Sequence, residues 1–400
     1  MTIKETLETA VTKDCDVLVC GGGIAGIAAA LAAARQNKRV LLLEKQFLLG
    51  GLATAGLITF YLPLCDGYGH QVSFGIAEEL LRLSISMGAE AGYPTNWLGE
   101  NSSEKRTAKD PRFEVRYNAQ LFALLAERLL LDAEVEILYG TYAVGTDCLD
   151  GRIRSVIVES KSGRQAIRAT SVVDATGDCD IAHFSGAPTE RFQQGNVLAG
   201  WYYSTGKNAY NLSIVGYADI PESKKSDADR ERTRDWIRFV GLDGKELSDI
   251  TIRSHELMFR DLLKKREDDP TIMPATLPTI PQVRMTRKLV GEYCLDDQEM
   301  HTYFHDSIGM VSDWRERGPI YEVPFSTLYS HTVKNLIVAG RCTSVTESMW
   351  DIMRVIPCCA VTGQAAGTAA AMTNDFPTLS VTSLQTQLKL DGVVLHENEL

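Results

Sequence analysis

The chain has 400 residues, 44% of them hydrophobic, and its 41 Lys and Arg against 52 Asp and Glu give a formal net charge of −11. That length exceeds one ordinary core, which stops growing at roughly 250–300 residues, and predicts two domains. The acidic balance argues against a nucleic-acid partner or an anionic membrane surface, since both need a positive patch, and leaves a small anionic ligand open only through local arginines.

In chain order, the stretch MTIKETLETAVTKD lacks the apolar core of a signal peptide, and no apolar run reaches spanning length. A cytoplasmic protein without a membrane span is therefore expected. Residues 16–26, DVLVCGGGIAG, predict a strand ending in Gly21-Gly22-Gly23-Ile24-Ala25-Gly26, followed by an alanine-rich helix. The G-x-G-x-x-G spacing allows a sharp turn at Gly21, close approach of a pyrophosphate at Gly23, and tight helix–strand packing at Gly26. The helix N-terminus offers free N–H groups and a partial positive charge to phosphates. A second strand, RVLLLE, ends in Glu44, placed to accept hydrogen bonds from a ribose. Together these segments predict a dinucleotide-binding βαβ unit, and at this point NAD and FAD both fit.

Lys45 and then LLGGLATAG, with Gly51, Leu52, Ala53 and Thr54, continue the binding loop. In CDGYGHQ, Asp66 and His70 are an acid and an imidazole four apart on a loop, suited either to proton handling or to ordering that loop by local hydrogen bonds. NAQLFALLAERLLL has apolar residues at helical spacing and predicts a packing helix over 118–131. SVVDATGD reads as an apolar strand closing in Ala175-Thr176-Gly177. The polar stretches 221–236 and 262–270 read as solvated helical faces and loops. In PQVRMTRKLVG, Arg284 is suited to clamp a substrate carboxylate by a bidentate pair. For Arg284, Arg287 and Arg354, structural ion pairing is the competing role. Tyr321 and Glu322, in YEVPF, read as support for the site. NLIVAGRCTSVTESMW predicts a short buried strand that breaks at Gly340, with Arg341 directly after it, and a helix of small residues then begins at Pro357.

The nine cysteines include no C-x-x-C pair, which argues against a disulfide framework, a zinc site and an iron–sulfur cluster. Cys358-Cys359 at a helix start invites a redox reading, but a disulfide between sequence neighbours closes a strained eight-membered ring.

The order of glycine fingerprint, acid, GG loop, A-T-G strand and late strand–glycine–helix resembles the FAD-dependent oxidoreductases of the glutathione-reductase type. More narrowly, DGYGHQVSFGIAEELL, VVDATGDCDIAHFSGAP, YEVPFSTLYSHTVKNLIVAGRC and RVIPCCAVTGQAAGTAAAM resemble a bacterial family known as FAD-dependent oxidoreductases. That family is related to the flavoprotein subunits of fumarate reductase and heterodisulfide reductase. The resemblance runs over most of the chain and is weakest from about 190 to 275. It implies that Gly21–Gly26 hold the FAD pyrophosphate, Glu44 and Lys45 the adenosine side, and Gly51–Thr54 the far side of the phosphates. It also implies that Ala143 lies against the adenine, that Ala175–Gly177 close over the dinucleotide, and that Gly340, Arg341 and Val355 complete the site. In such folds the helix 357–372 points its N-terminus at the flavin, favouring the negative charge of the reduced form. Its small residues, Gly363, Ala365, Ala366 and Gly367, allow close helix packing. The wider superfamily often has an acidic residue after the late glycine, and this sequence has Arg341-Cys342 there. An arginine at that turn is expected to reach the FAD and support its binding or its reduced state.

The expected architecture is α/β: a discontinuous FAD-binding Rossmann-like domain (10–188 and 330–375), an inserted mixed β/α substrate domain (189–329) and a C-terminal tail (376–400) carrying a short helix. The expected function is that of an FAD-dependent oxidoreductase acting on a small organic substrate between the domains, with candidate catalytic residues Asp66, His70, Arg284 and Arg354. Trp350 and Arg354 are further places to look for substrate. Two other readings are a fumarate-reductase-like reductase fed by a separate donor and a non-catalytic binding protein of the same fold. A homo-oligomer is left open, and no metal is expected.

Overall fold

The computed structural model describes residues 2–93, 109, 112, 114–206 and 209–400. β1 (Val11–Cys20) leads into helix α1 (Ile24–Arg35), and β2 (Val40–Leu43) returns parallel to β1, with Val17 opposite Val40 and Cys20 opposite Leu43. Strand Glu136–Leu138 adds in parallel beyond β2, and strand Gly163–Asp174 adds in parallel on the other side of β1. The late strand Leu336–Val338 pairs in parallel with Val172–Asp174. Cys20, Leu43, Leu138, Asp174 and Val338 therefore all end at one edge of a seven-stranded sheet, the edge at which open parallel sheets bind ligands. The first half of Gly163–Asp174 pairs antiparallel with Arg152–Ser160, which in turn pairs with Tyr142–Leu149. One long strand thus ties an antiparallel meander to the parallel sheet.

Alternation along β1 builds a core on each face of the sheet. Val17 and Val19 pack with α1 and helix Ile356–Met372, whereas Leu18 and Cys20 pack with Val156, Val158 and Ile181 on the other side. The two helices touch through backbone. A Cβ on Gly363 would sit 2.3 Å from the carbonyl oxygen of Ala25, and one on Gly367 would sit 2.1 Å from that of Ala29. Both contacts advance by four residues along each chain, so the helices run parallel and present their N-termini to the same end of the molecule. The small residues expected to allow close packing along the later helix are the ones that do so.

After Asp174 the chain leaves this sheet and returns to it only at Leu336. In between, the hairpin Ala199–Gly206/Ala209–Gly216 gains Met273–Thr276 on its free side, and helix Gly244–Asp268 packs on this small sheet. Asp243 caps that helix by accepting the N–H groups of Lys245 and Glu246. Its buried stripe is only Ile250, Ser254, Met258 and Leu262, each four residues from the next. The expected solvated stretch 262–270 therefore covers about the last two turns of a 25-residue helix and the two residues after it, and the helix's narrow apolar seam is flanked by mostly charged and polar faces. Leu295, Ile308, Val311, Tyr321 and Val323 join the core formed with α1, so packing continues across the expected boundary at 329. The expected tail helix is Val381–Leu390, with Leu384 and Leu388 buried. Among the described residues no single helix is long and apolar enough to cross a membrane.

Candidate FAD site

At the carboxyl edge of the sheet lies a cavity of ≈ 420 Å³. Its floor is the turn after β1. Gly21 has φ +106°, its N–H donates to the Leu43 carbonyl at 2.8 Å, and a Cβ there would lie 2.4 Å from the Ala175 oxygen. A Cβ on Gly26 would lie 1.8 Å from the Gly21 oxygen, whereas one on Gly23 would meet nothing within 4 Å. The first and last glycines are thus demanded by the protein's own packing, and the middle one faces the space a ligand would use.

Gly21, Gly23, Ile24, Ala25, Glu44, Lys45, Gly51, Leu52, Ala53, Ala143, Ala175, Thr176, Gly177, Gly340, Arg341 and Arg354 all line this cavity. Gly22, Gly26, Thr54 and Val355 do not, and each stands behind the wall instead. Gly22 donates its N–H to Glu44 Oε2 at 2.8 Å, and Gln46 donates to Glu44 Oε1 at 2.7 Å, which fixes the carboxylate in place. Burial pushes the Glu44 pKa up, against the pull of those amide donors. The Thr54 hydroxyl bonds the Leu49 carbonyl and closes the GG loop, and Val355 caps helix Ile356–Met372.

Two helix N-termini reach the cavity. The caps of α1 and of helix Ile356–Met372, Gly23 and Val355, make no side-chain hydrogen bond to their helices. The Gly363–Ala25 register makes the later helix project about six residues, or roughly 9 Å, beyond the N-terminus of α1. Two sites of partial positive charge are therefore offset along one cavity, an arrangement suited to an elongated ligand with anionic or electron-accepting groups at two points.

The strand end and loop at 174–180 are acidic. Asp174, fully buried, accepts from Thr176 N–H, Thr176 Oγ1 and Ala182 N–H, and burial nevertheless pushes its pKa up. Asp178 and Asp180 line the cavity. Burial, with Asp178 and Asp174 nearby, pushes Asp180 up to about 6, although Arg287 pairs with it at 2.7 Å. Arg287 opens strand Arg287–Leu289 and also donates to the Asp178 carbonyl at 2.9 Å, so it braces this loop and its role is structural.

Arg341 lines the cavity with its guanidinium already engaged. Nη1 donates to the carbonyls of Val283 at 2.7 Å and Arg284 at 2.9 Å, and Nη2 lies 3.5 Å from Asp178. It clamps the incoming segment, whose residues Thr279, Ile280, Pro281 and Val283 complete the wall. Sequence reasoning missed this segment and the two aspartates. The aspartates were visible directly after the A-T-G strand, whereas nothing local marks 279–283 as a wall.

Trp350 is a correction. It is fully buried, donates Nε1–H to the Arg341 carbonyl at 2.8 Å and packs edge-on against Phe192, so it faces core rather than substrate space. Arg354 sits at the 90° corner between helices Glu347–Met353 and Ile356–Met372, pairs with Asp351 at 2.6 Å and reaches the cavity. Asp66 and His70 lie elsewhere. Asp66 is buried and accepts from the N–H groups of Tyr68 and His70, and its other oxygen lies 2.8 Å from His70 Nδ1. Its hydrogen-bonding capacity is used to order the loop, as the local reading had it, and neither residue lines the cavity. Glu322 accepts from the N–H groups of Phe304 and Glu397 and pairs with His396, a supporting part. All nine cysteines are free. Burial pushes Cys359, on the cavity wall, up to about 12 and Cys358 well above the ordinary thiol range, so this pair holds no ready thiolate.

The glycine turn, buried acid and paired helix ends define a Rossmann-type dinucleotide-binding protein with the residues to hold FAD. The model of the FAD dependent oxidoreductase family matches residues 16–197 and 201–388, and the chain belongs to that family. Among curated proteins, thioredoxin reductase of Ureaplasma parvum serovar 3 is 34% identical over 76 residues, 19% of this chain and 25% of that relative. The chain thus matches a quarter of that relative's length. Among solved structures, a geranylgeranyl bacteriochlorophyll reductase-like protein of Thermoplasma acidophilum is 12% identical, with 96% of this chain and 93% of that one covered at a TM-score of 0.46. A flavocytochrome c3 fumarate reductase is 13% identical, with 90% and 79% covered at a TM-score of 0.43.

Proposed function

We propose that this FAD-dependent oxidoreductase acts on a small organic substrate held where residues 279–284 of the insertion close over the cofactor cavity. The observation that carries this reading is a single wall built from both sources: Gly21, Gly23, Ala25, Gly340 and Arg341 from the Rossmann half, and Thr279–Pro281 and Val283 from the insertion. FAD supplies the hydride or electron transfer, and the chain supplies binding, orientation and exclusion of water. In this reading Gly23 and the first turn of α1 receive the pyrophosphate, Glu44 accepts from a ribose, and Ala143, Ala175, Thr176 and Gly177 flank the dinucleotide. The N-terminus of helix Ile356–Met372 favours the negative charge that reduction brings. Arg354 marks the substrate side, because it lines both this cavity and a second, smaller one.

The test is to purify the protein, record its flavin spectrum and screen small metabolites anaerobically. One flavin per chain, bleached by a subset of donors or reoxidised by an unsaturated acceptor, is expected. A colourless protein that FAD does not reconstitute would favour a non-catalytic binder and overturn the proposal.

A further inference from the structure

Beside the cofactor cavity lies a smaller one of ≈ 130 Å³, and Arg354 is on the wall of both. Three guanidinium groups, of Arg284, Arg315 and Arg354, border the smaller cavity. The carboxylate of Asp351, itself buried, is shared by two of them: Arg315 bonds Oδ2 and Arg354 bonds Oδ1. Burial alone would raise the Asp351 pKa, but Arg354 and Arg315 outweigh it and hold that pKa low, so the acid is fully committed. The other acids on the wall are also engaged. Asp219 pairs with Arg238 and Lys225, and Glu347 accepts the Gln193 N–H.

Arg284 is left over. Its guanidinium lies 5.4 Å from the centre of the Trp201 ring, and among the described residues no carboxylate or carbonyl accepts from it. Burial, reinforced by Arg354 and only partly offset by the charge of Asp351, pushes its pKa down to about 9, so it stays charged at neutral pH with no carboxylate bonded to it among the described residues. The backbone beneath it is held from two sides. Asn196 Oδ1 accepts the N–H groups of Arg284 and Met285, each at 3.0 Å, and Arg341 takes the Arg284 carbonyl. Phe192, Tyr217, Met285 and Trp314 give the lining an apolar, aromatic part beside the neutral amides of Gln194, Asn196 and Gln282. One unmatched, partly desolvated cation on a fixed backbone, among aromatic rings, calls for a ligand with one anionic fork and an apolar body.

We propose that the side cavity is a carboxylate subsite, in which Arg284 receives the carboxylate of a monocarboxylic substrate whose apolar body lies among Phe192, Tyr217 and Trp314. This deepens the proposed function and rests on it for the word substrate, but the binding site itself does not depend on turnover. Calorimetric titration of the flavin-loaded protein with benzoate and with its uncharged isostere benzamide tests it. Benzoate is expected to bind at least about ten-fold more tightly than benzamide, the worth of one charge-assisted hydrogen bond. Arg284→Met should abolish that preference, and Arg284→Lys should keep part of it, with the flavin content of both unchanged. Equal binding of the two probes to wild type, or a preference that survives in Arg284→Met, would overturn the assignment. Should Arg284→Met fail to fold, the wild-type comparison and Arg284→Lys decide alone. A protein that binds benzoate selectively but never exchanges electrons with any donor would sink the oxidoreductase reading and leave the subsite standing.

Discussion

The guanidinium of Arg341 lies against Gly177: a Cβ at position 177 would sit 2.5 Å from Arg341 Nη2. Gly177 has φ +77°, so the turn after strand Gly163–Asp174 leaves a flat space into which the arginine fits on its way to the carbonyls of Val283 and Arg284. The cofactor cavity and the insertion are joined at this contact.

Removing that clamp should be felt at both ends of the site. Arg341→Met loses two charge-assisted hydrogen bonds, and flavin affinity should fall by about ten-fold or more, or the flavin potential should drop. Gly177→Ala should act in the same direction by displacing the guanidinium and straining the turn. Dialysis followed by flavin absorbance, with a redox titration, measures both effects. Unchanged retention and potential in Arg341→Met would exclude a role for this residue at the cofactor.

The glycine turn makes a sharper distinction. Gly26→Ala forces a methyl group to within 1.8 Å of the Gly21 oxygen, so helix and strand must separate, and a loss of about 3 kcal/mol or more in stability is expected. Gly23→Ala meets nothing in the protein and has ordinary extended backbone, φ −70° and ψ −177°. Its melting temperature without FAD should match wild type, while FAD binding weakens because the methyl group occupies the ligand's space. Equal destabilisation of the two apoproteins would contradict this division of roles.

Asp180 should give stability a specific pH dependence. Its pKa rises from 3.8 to about 6 in the fold, so it binds a proton more tightly folded than unfolded. The resulting penalty is absent below about pH 4, grows between 4 and 6, and is constant above 6. Asp180→Asn should therefore stabilise the protein at pH 7.5, by an order of 1 kcal/mol once the solvent reaching about a third of the side chain is allowed for. That gain should fade towards pH 4. A melting series from pH 4 to 8 reads it, and a constant or inverted difference between variant and wild type would show that the Arg287 pair, rather than the acid cluster, governs this loop.

Much of the cofactor site was legible in the sequence because it is written locally. Gly21, Gly23 and Gly26, the acid at 44 and the small residues from Gly363 to Gly367 answer to close backbone approach, helix ends and strand ends, and short sequence spacings signal them even where the backbone they meet, such as Ala175 or Ala25, is distant in the chain. The tail helix and the helix over 119–132 were equally local, as apolar residues at helical spacing. The tertiary structure alone decided what distant segments do to one another. Asp66 reads in the sequence as either a proton handler or a loop-ordering acid, and its own loop uses both its oxygens; Trp350 reads as a place to look for substrate, but Phe192 and the Arg341 carbonyl bury it. Arg284, Arg315 and Arg354 are equivalent in sequence, and only the fold, by giving Asp351 to two of them, leaves the third without a partner. Local pattern fixes where a backbone can turn and receive a phosphate. Which charges remain unpaired depends on long-range neighbours, so the choice at Arg284 between a substrate clamp and a structural ion pair turns on the fold.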